Sequence, residues 1–349
     1  MSATATDTTA QNRLDPVQQL FQMAGGYILS SCLWVVNELK IADALATGAK
    51  SASDLAQCTG VKAEPLARVL RPLAMMGIVT ETDPGVFALT PAADLLRTGI
   101  PQSQQDTIRW ICDPFHFQVN GELLHSVRTG RPAVEKVTGK SAFDTFAENP
   151  VENDRFNAAM TNLSKGQVPA ILDAYDFSQF HTIVDVAGGH GYLLYEILQK
   201  YPKAEGILFD LDRVLHGARD RVALLNGRCR AIAGDFFKAV PEGGDLYLMK
   251  MIIHDWDNES AGMILKNCRK ALAQKPNAKL LLFEMVLPTG NEPHMAKLLD
   301  IEMLVFPGGH ERTPEQYRQL FAESGLRLTR IIPTKSPMSI VEAQLATSR

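Results

Sequence analysis

The chain has no surplus of positive charge: 35 lysines and arginines against 39 acids leave a formal net charge of -4. Binding to nucleic acid or to an anionic membrane needs a basic surface, so neither partner is expected. Paired cysteines are lacking too. The five present, Cys32, Cys58, Cys112, Cys229 and Cys268, are odd in number, widely spaced and free of any CxxC. That excludes a disulfide framework or a zinc site and points to reduced thiols in a cytoplasmic protein. Residues 1–11 carry neither a basic nor an apolar signal region, so a disordered tail over 1–13 is expected rather than a signal peptide. From Val17 to Asn37 there is no charge, a length that raises the question of a membrane span. Gln18, Gln19, Gln22, Gly25, Gly26, Ser30, Ser31 and Asn37 interrupt it, and a buried helix pair, against the chain itself or a second copy, is expected instead.

What is present is 349 residues at 46% hydrophobic composition, enough for more than one core. Ser53 to Gln57 begins a short helix that breaks at Thr59 and Gly60, and Pro65 suits the first turn of another running to about Met76. Ile78 to Thr82 and Val86 to Leu89 then alternate around Asp83, Pro84 and Gly85 as a hairpin. Helix, turn, helix and hairpin make a winged-helix arrangement. Between Lys40 and Arg97 six basic residues meet six acids, a poor phosphate binder. Residues 14–105 are therefore expected to form a structural, dimerising domain. Residues 106–165 read as a helical bridge whose aromatics mostly pack. Phe156, Met160 and Ser164 share one face of a helix there, placed to line a pocket together.

From His181 onward strands alternate with helices, predicting a mostly parallel sheet in a domain over 166–349. Strands are expected near Ile183–Val186, Ile207–Asp210, Cys229–Ala233, Asp245–Ile253, Lys279–Val286, Leu326–Ile332 and Ser339–Gln344. The stretch HTIVDVAGGHGYLL is central. A β-branched run, the mark of a buried strand, stops at Gly188, Gly189 and Gly191, and helical spacing follows through Leu193, Leu194, Ile197 and Leu198. Glycines at such a junction let the backbone turn sharply and approach a ligand, and the next helix aims its free N–H groups at the same spot. Nineteen positions after Gly191, Asp210 ends a second apolar strand, where a carboxylate accepts the hydroxyls of a ribose. Leu194 stands where a dinucleotide fingerprint has its third glycine. A single adenosine with a small charged tail, such as S-adenosylmethionine, fits better than NAD.

Later strand ends supply further candidates. Asp235 and Phe236 in GDFF suit an adenine, or else a helix N-cap and a core ring. His254 falls at the rim of the fourth strand in MKMIIHDW. With Asp255, Asp257 and Asn258 it also reads as a metal-ligand set, although Asp257 or Asn258 as the cap of a helix near Glu259 accounts better for those two. Glu284, a lone acid in LLLFEMVLP, needs a buried partner, an arginine or a histidine on the neighbouring strand. In GGHERTPEQ, Thr313, Pro314 and Gln316 compose a helix start, leaving Glu311 free to point into a site. Met160, Met303 and Phe306 suggest a flat apolar pocket, with Asp255 on the substrate side.

The motifs VDVAGGHG, FDL, GDFF, MKMIIHDW, LLFEMVLP and GGHERT, in order and spacing over nearly the whole chain, resemble those of the S-adenosylmethionine-dependent O-methyltransferases of the caffeate, hydroxyindole and bacterial polyketide-tailoring type. The resemblance implies an α/β, Rossmann-like class I methyltransferase domain with a seven-stranded, mostly parallel sheet, behind an N-terminal, mainly α winged-helix domain that forms a homodimer. It implies metal-independent methyl transfer to a hydroxyl of an aromatic small molecule (phenol, catechol, flavonoid or polyketide), with S-adenosylhomocysteine as product. Gly188, Gly189 and Gly191 would then line the cofactor loop, Asp210 hold the ribose, Asp235 and Phe236 the adenine, and Lys250 the methionyl end through its carbonyl. Trp256 and Ser164 would lie near the cofactor, Phe156 and Met160 would face the substrate, and His254 would be the general base flanked by Glu284 and Glu311. Ala187 departs from the family's first glycine and Asp212 from its proline, His190 is unusual in the loop, and DIEMLVFPGGHERT matches the bacterial length. Two other readings follow: a relative that decarboxylates or hydroxylates an aromatic polyketide while binding the same cofactor, and a winged-helix regulator that senses it. The chemistry calls for a base, since a phenol of pKa ~10 is mostly neutral at pH 7 and a free imidazole of ~6.5 leaves a gap of about 5 kcal/mol.

Overall fold

The computed structural model describes residues 15–275 and 277–346, so the tail expected over 1–13 lies outside the described residues. Two compact units divide at Phe117 and Gln118.

In the first unit the winged-helix order holds. Ser51 caps the helix Ala52–Thr59 through a box with Asp54, and Gly60, at φ 71°, ends it. The helix Ala63–Met75 follows, with Pro65 in its first turn and Pro72 inside it. Leu66, Leu70 and Leu73 of that helix are buried with Leu55, Val79 and Phe87. The wing has one strand more than expected: β1 (Lys50–Ser51) pairs antiparallel with β3 (Val86–Leu89), which pairs with β2 (Val79–Asp83). Of the helix pair expected to be buried, Gly26–Glu38 packs into the unit's core through Val36, Cys32 and Leu33, whereas Pro16–Ala24 buries no residue within the chain, and its Leu20, Phe21 and Met23 are 73%, 75% and 82% exposed. The pair bends by 43°, and among the described residues no single helix is long and apolar enough to cross a membrane.

The second unit holds a sheet of seven strands: β4 (Thr182–Val186), β5 (Glu205–Asp210), β6 (Cys229–Ala233), β7 (Leu246–Lys250), β8 (Lys279–Glu284), β9 (Leu326–Pro333) and β10 (Ser339–Leu345), in the order β6-β5-β4-β7-β8-β10-β9. β4 to β8 pair parallel and β10 runs antiparallel to both neighbours. The central strands β4, β5, β7 and β8 are covered on both faces, which is why they read as continuous apolar runs, whereas the edge strand β6 is largely exposed. Ile183, Leu208, Leu248 and Phe283 pack on one side, and Val184, Val186, Tyr247 and Leu282 on the other. Strand order reverses between β4 and β7, where open α/β sheets bind ligands beyond their carboxyl ends.

Two boundaries differ from expectation. The bridge expected to end at residue 165 runs on, because the helix Pro150–Ala174 is continuous there. The strand expected over Asp245–Ile253 stops at Lys250: Met251 takes φ 54°, and Glu284 Oε1 draws the amides of Ile252 and Ile253 to itself at 3.3 and 3.0 Å. Ile253–Asp255 then curls into a 3-10 turn.

Candidate active site

Beyond the carboxyl ends of β4, β5, β6 and β7 lies a cavity of about 470 Å³. On the β4 side, the glycines serve the fold itself. A Cβ at Gly188 would lie 2.6 Å from the Asp185 carboxylate. Gly191, at φ 71°, begins the helix Tyr192–Lys200. Ala187 sits at φ 55°, a left-handed conformation that costs an L-residue about 1–2 kcal/mol and that glycine adopts freely. Gly189 donates its N–H to Asp210 Oδ2 at 2.8 Å, and Leu211 donates to Oδ1 at 2.7 Å. Asp210 is thus fixed at the cavity wall, its pKa raised by burial.

Asp185 and Lys250 form the floor. Burial raises the Asp185 carboxyl to about 7 against the pull of Lys250, and burial lowers the Lys250 ammonium to about 8 against Asp185 and Glu284. Asp185 Oδ2 is buried with no protein partner. Asp185 was missed in the sequence, although a single acid inside a fully buried strand is a signal in itself. Asp235 caps no helix; its Oδ1 accepts from Phe237 N at 2.9 Å in a turn. Phe236 and Phe237 meet Trp256 edge-on, with centroids 6.0 and 4.8 Å apart, and Phe143 stacks on Trp256 at 5.7 Å. Phe156, Met160 and Ser164 line the cavity as one helical face.

His254 is 2% exposed and stands just behind the wall. Its Nδ1 lies 2.6 Å from Glu311 Oε1 and 3.8 Å from Glu284 Oε2, and its Nε2 lies 3.5 Å from Asp255 Oδ1 on the cavity side. Burial lowers the imidazole's proton affinity, but Glu284, Asp255 and Glu311 outweigh it and raise the pKa to about 10. Burial raises Glu284 and Asp255 as well. One nitrogen of His254 and one oxygen from each glutamate lie within 4.8 Å of one another, a donor set dense enough for a cation; here the Glu311 carboxylate takes Nδ1. The wider metal-ligand set does not assemble: Asp257 caps the helix Asn258–Leu272 through Ser260 N at 2.7 Å, and Asn258 Oδ1 accepts from Arg312.

Arg312, fully buried and not foreseen, ties the two loops together, donating to the carbonyls of Ile253 and Trp256 at 2.8 Å each. Gly309 lets them close, since a Cβ there would collide with the backbone of His254 and Asp255. Thr313 caps the helix Pro314–Glu323 with Gln316, as the motif implied. Met303 and Phe306 are buried at the end of the helix Ala296–Val305 and Gly191 lies against Leu208; like His254, Glu284 and Glu311, they are set back from the cavity wall itself.

Two family models match: an O-methyltransferase domain over residues 121–327 and an O-methyltransferase dimerisation domain over 21–99. The chain belongs to the O-methyltransferase family. A phenazine O-methyltransferase of Lysobacter antibioticus is 43% identical to this methyltransferase, over 93% of this chain and 95% of its own. The crystal structure of LaPhzM superposes with a TM-score of 0.88 at 42% identity, covering 95% of this chain and 100% of that one. CalO1, a methyltransferase of calicheamicin biosynthesis with S-adenosylhomocysteine bound, gives 0.85 at 32%, covering 96% and 100%. The methyltransferase uses S-adenosylmethionine, and its cavity fits that cofactor. The unpartnered Asp185 Oδ2 beside Lys250 matches an amino-acid end bearing one ammonium and one carboxylate. Asp210 keeps lone pairs for a diol, and Phe236 offers a ring to a base.

Proposed function

We propose that the acceptor is a hydroxyl of an aromatic small molecule and that His254 removes its proton. The observation that carries this reading is the 2.6 Å contact between His254 Nδ1 and Glu311, which leaves Nε2 turned toward Asp255 and the cavity. Bound S-adenosylmethionine supplies an electrophilic methyl group. Gly188, Gly189, Asp210, Asp235, Phe236, Lys250, Trp256 and Ser164 hold the cofactor; Phe156, Met160 and Asp255 meet the acceptor. Nδ1–H donates to Glu311, which fixes the tautomer, and the three carboxylates stabilise the imidazolium that forms. A pKa near 10 matches a phenol's value of about 10, so the gap facing a free imidazole closes. The cost is that His254 must first shed its own proton, so turnover should rise with pH well above 7.

The exposed apolar face of Leu20, Phe21 and Met23, beside the dimerisation-domain match, supports a homodimer formed through residues 14–105. Five free cysteines support a cytoplasmic setting. His254→Ala is expected to keep cofactor affinity, read by calorimetric titration with S-adenosylhomocysteine, and to lose about a thousandfold in kcat; unchanged turnover would remove His254 from the base role.

A further inference from the structure

His190 is the residue of the glycine loop whose side chain the loop itself does not explain, because any residue could supply its backbone. Its half-buried ring lines the cavity, close enough to Asp210 for each to shift the other's titration. The ring is seated closely. A Cβ at Gly217 would lie 2.3 Å from Nε2 and 2.8 Å from both Cδ2 and Cε1, so an edge of the imidazole rests on the bare Cα of Gly217. Gly217 belongs to the 3-10 turn His216–Ala218, off the cavity wall, and its φ is not in the left-handed region. Glycine there provides space and not conformational freedom.

Arg221, in the helix Arg219–Ala223, closes the contact from outside the cavity. Its Nη1 donates to the His190 carbonyl at 2.7 Å, and its guanidinium carbon lies 5.3 Å from the centroid of the Tyr192 ring. The segment that follows Asp210 thus grips the glycine loop at residues 190 and 192. The residue before His190 is Gly189, whose amide holds the Asp210 carboxylate. The loop needs such a grip, since Ala187, Gly189 and Gly191 all take left-handed φ, between 55° and 71°, and Ala187 does so under strain. Burial, and then Arg221, lower the ring's pKa against the pull of Asp210. At neutral pH the imidazole is therefore an uncharged plate that leaves the carboxylate to a ligand.

We propose that His190 is a positioning residue for the cofactor: seated on Gly217 and tied down by Arg221, it locks the glycine loop to the segment after β5. Through the Gly189 amide, that lock keeps Asp210 in the orientation that binds the ribose. The proposal rests on the assignment of Asp210 to the ribose given above.

The test drives a methyl group into the ring from a position outside the cavity. Gly217→Ala should weaken S-adenosylhomocysteine binding about tenfold in calorimetric titration, the scale of an overpacked contact. The KM for S-adenosylmethionine should rise to match, while kcat at saturating cofactor and the acceptor KM stay within about twofold. His190→Ala should weaken binding about fivefold. In that background Gly217→Ala should cost less than about twofold more, because the group it collides with is gone. A Gly217→Ala loss of the same size with and without His190 overturns the lock, as does wild-type affinity in both single variants. The ribose reading fails separately, if Asp210→Ala binds S-adenosylhomocysteine as tightly as the wild type while the coupling between residues 190 and 217 persists.

Discussion

The two sides of the cavity present different chemistry. On the strand-end side, charges come in opposed or amide-bound sets: Asp185 with Lys250, and Asp210 with the amides of Gly189 and Leu211. On the helical side, rings and amides replace charge, with Phe146 stacked on Phe156 at 5.2 Å. Under the proposed assignment, the charged cofactor would meet rigid complementary groups on the strand ends, and the acceptor an apolar wall. His254 stands at the border and borrows charge from Glu284 and Glu311, neither of which faces the cavity.

Substitutions can break this division. On the charged side, Asp210→Ala should weaken S-adenosylhomocysteine binding about a hundredfold, the value of two hydrogen bonds to a carboxylate, and calorimetric titration reads it directly. Gly309→Ala should lower kcat about tenfold or more with little change in cofactor affinity, because it forces the GGHERT loop off the backbone of His254 and Asp255; a wild-type kcat would show that the loop contact does not place the base. On the apolar side, Phe156→Ala, which removes the stack with Phe146, should raise the acceptor KM about fivefold, one ring stack's worth, and leave cofactor affinity alone.

The same division explains what could be read from the sequence. Strands buried on both faces announce themselves by composition, so β4, β5 and β8 were legible, as was Asp210 from its distance to the glycine loop. The helix starts at Asp257 and Thr313 followed from local capping chemistry. Contacts between distant segments were not legible. That Glu284 takes the amides of Ile252 and Ile253, ends β7 early and curls His254 into a turn depends on β8 lying beside β7. Arg312 reads as one more loop arginine until Ile253 and Trp256 are brought to it. Met303 and Phe306 have the composition of a pocket wall, and only packing shows them buried at the end of the helix Ala296–Val305.

The central claim is that buried carboxylates make His254 a base strong enough for a phenol. It is tested most directly by the pH dependence of kcat, at saturating cofactor and acceptor, in the wild type and in Glu311→Gln. Raising the imidazole pKa places the neutral, proton-accepting form above that value, so kcat should climb through an apparent pKa well above the free imidazole's ~6.5. Removing one of the carboxylates that raise it should move that limb to lower pH. A limb at the same pH in both enzymes would contradict the account, since it would report the acceptor's own ionisation and not a proton held by His254.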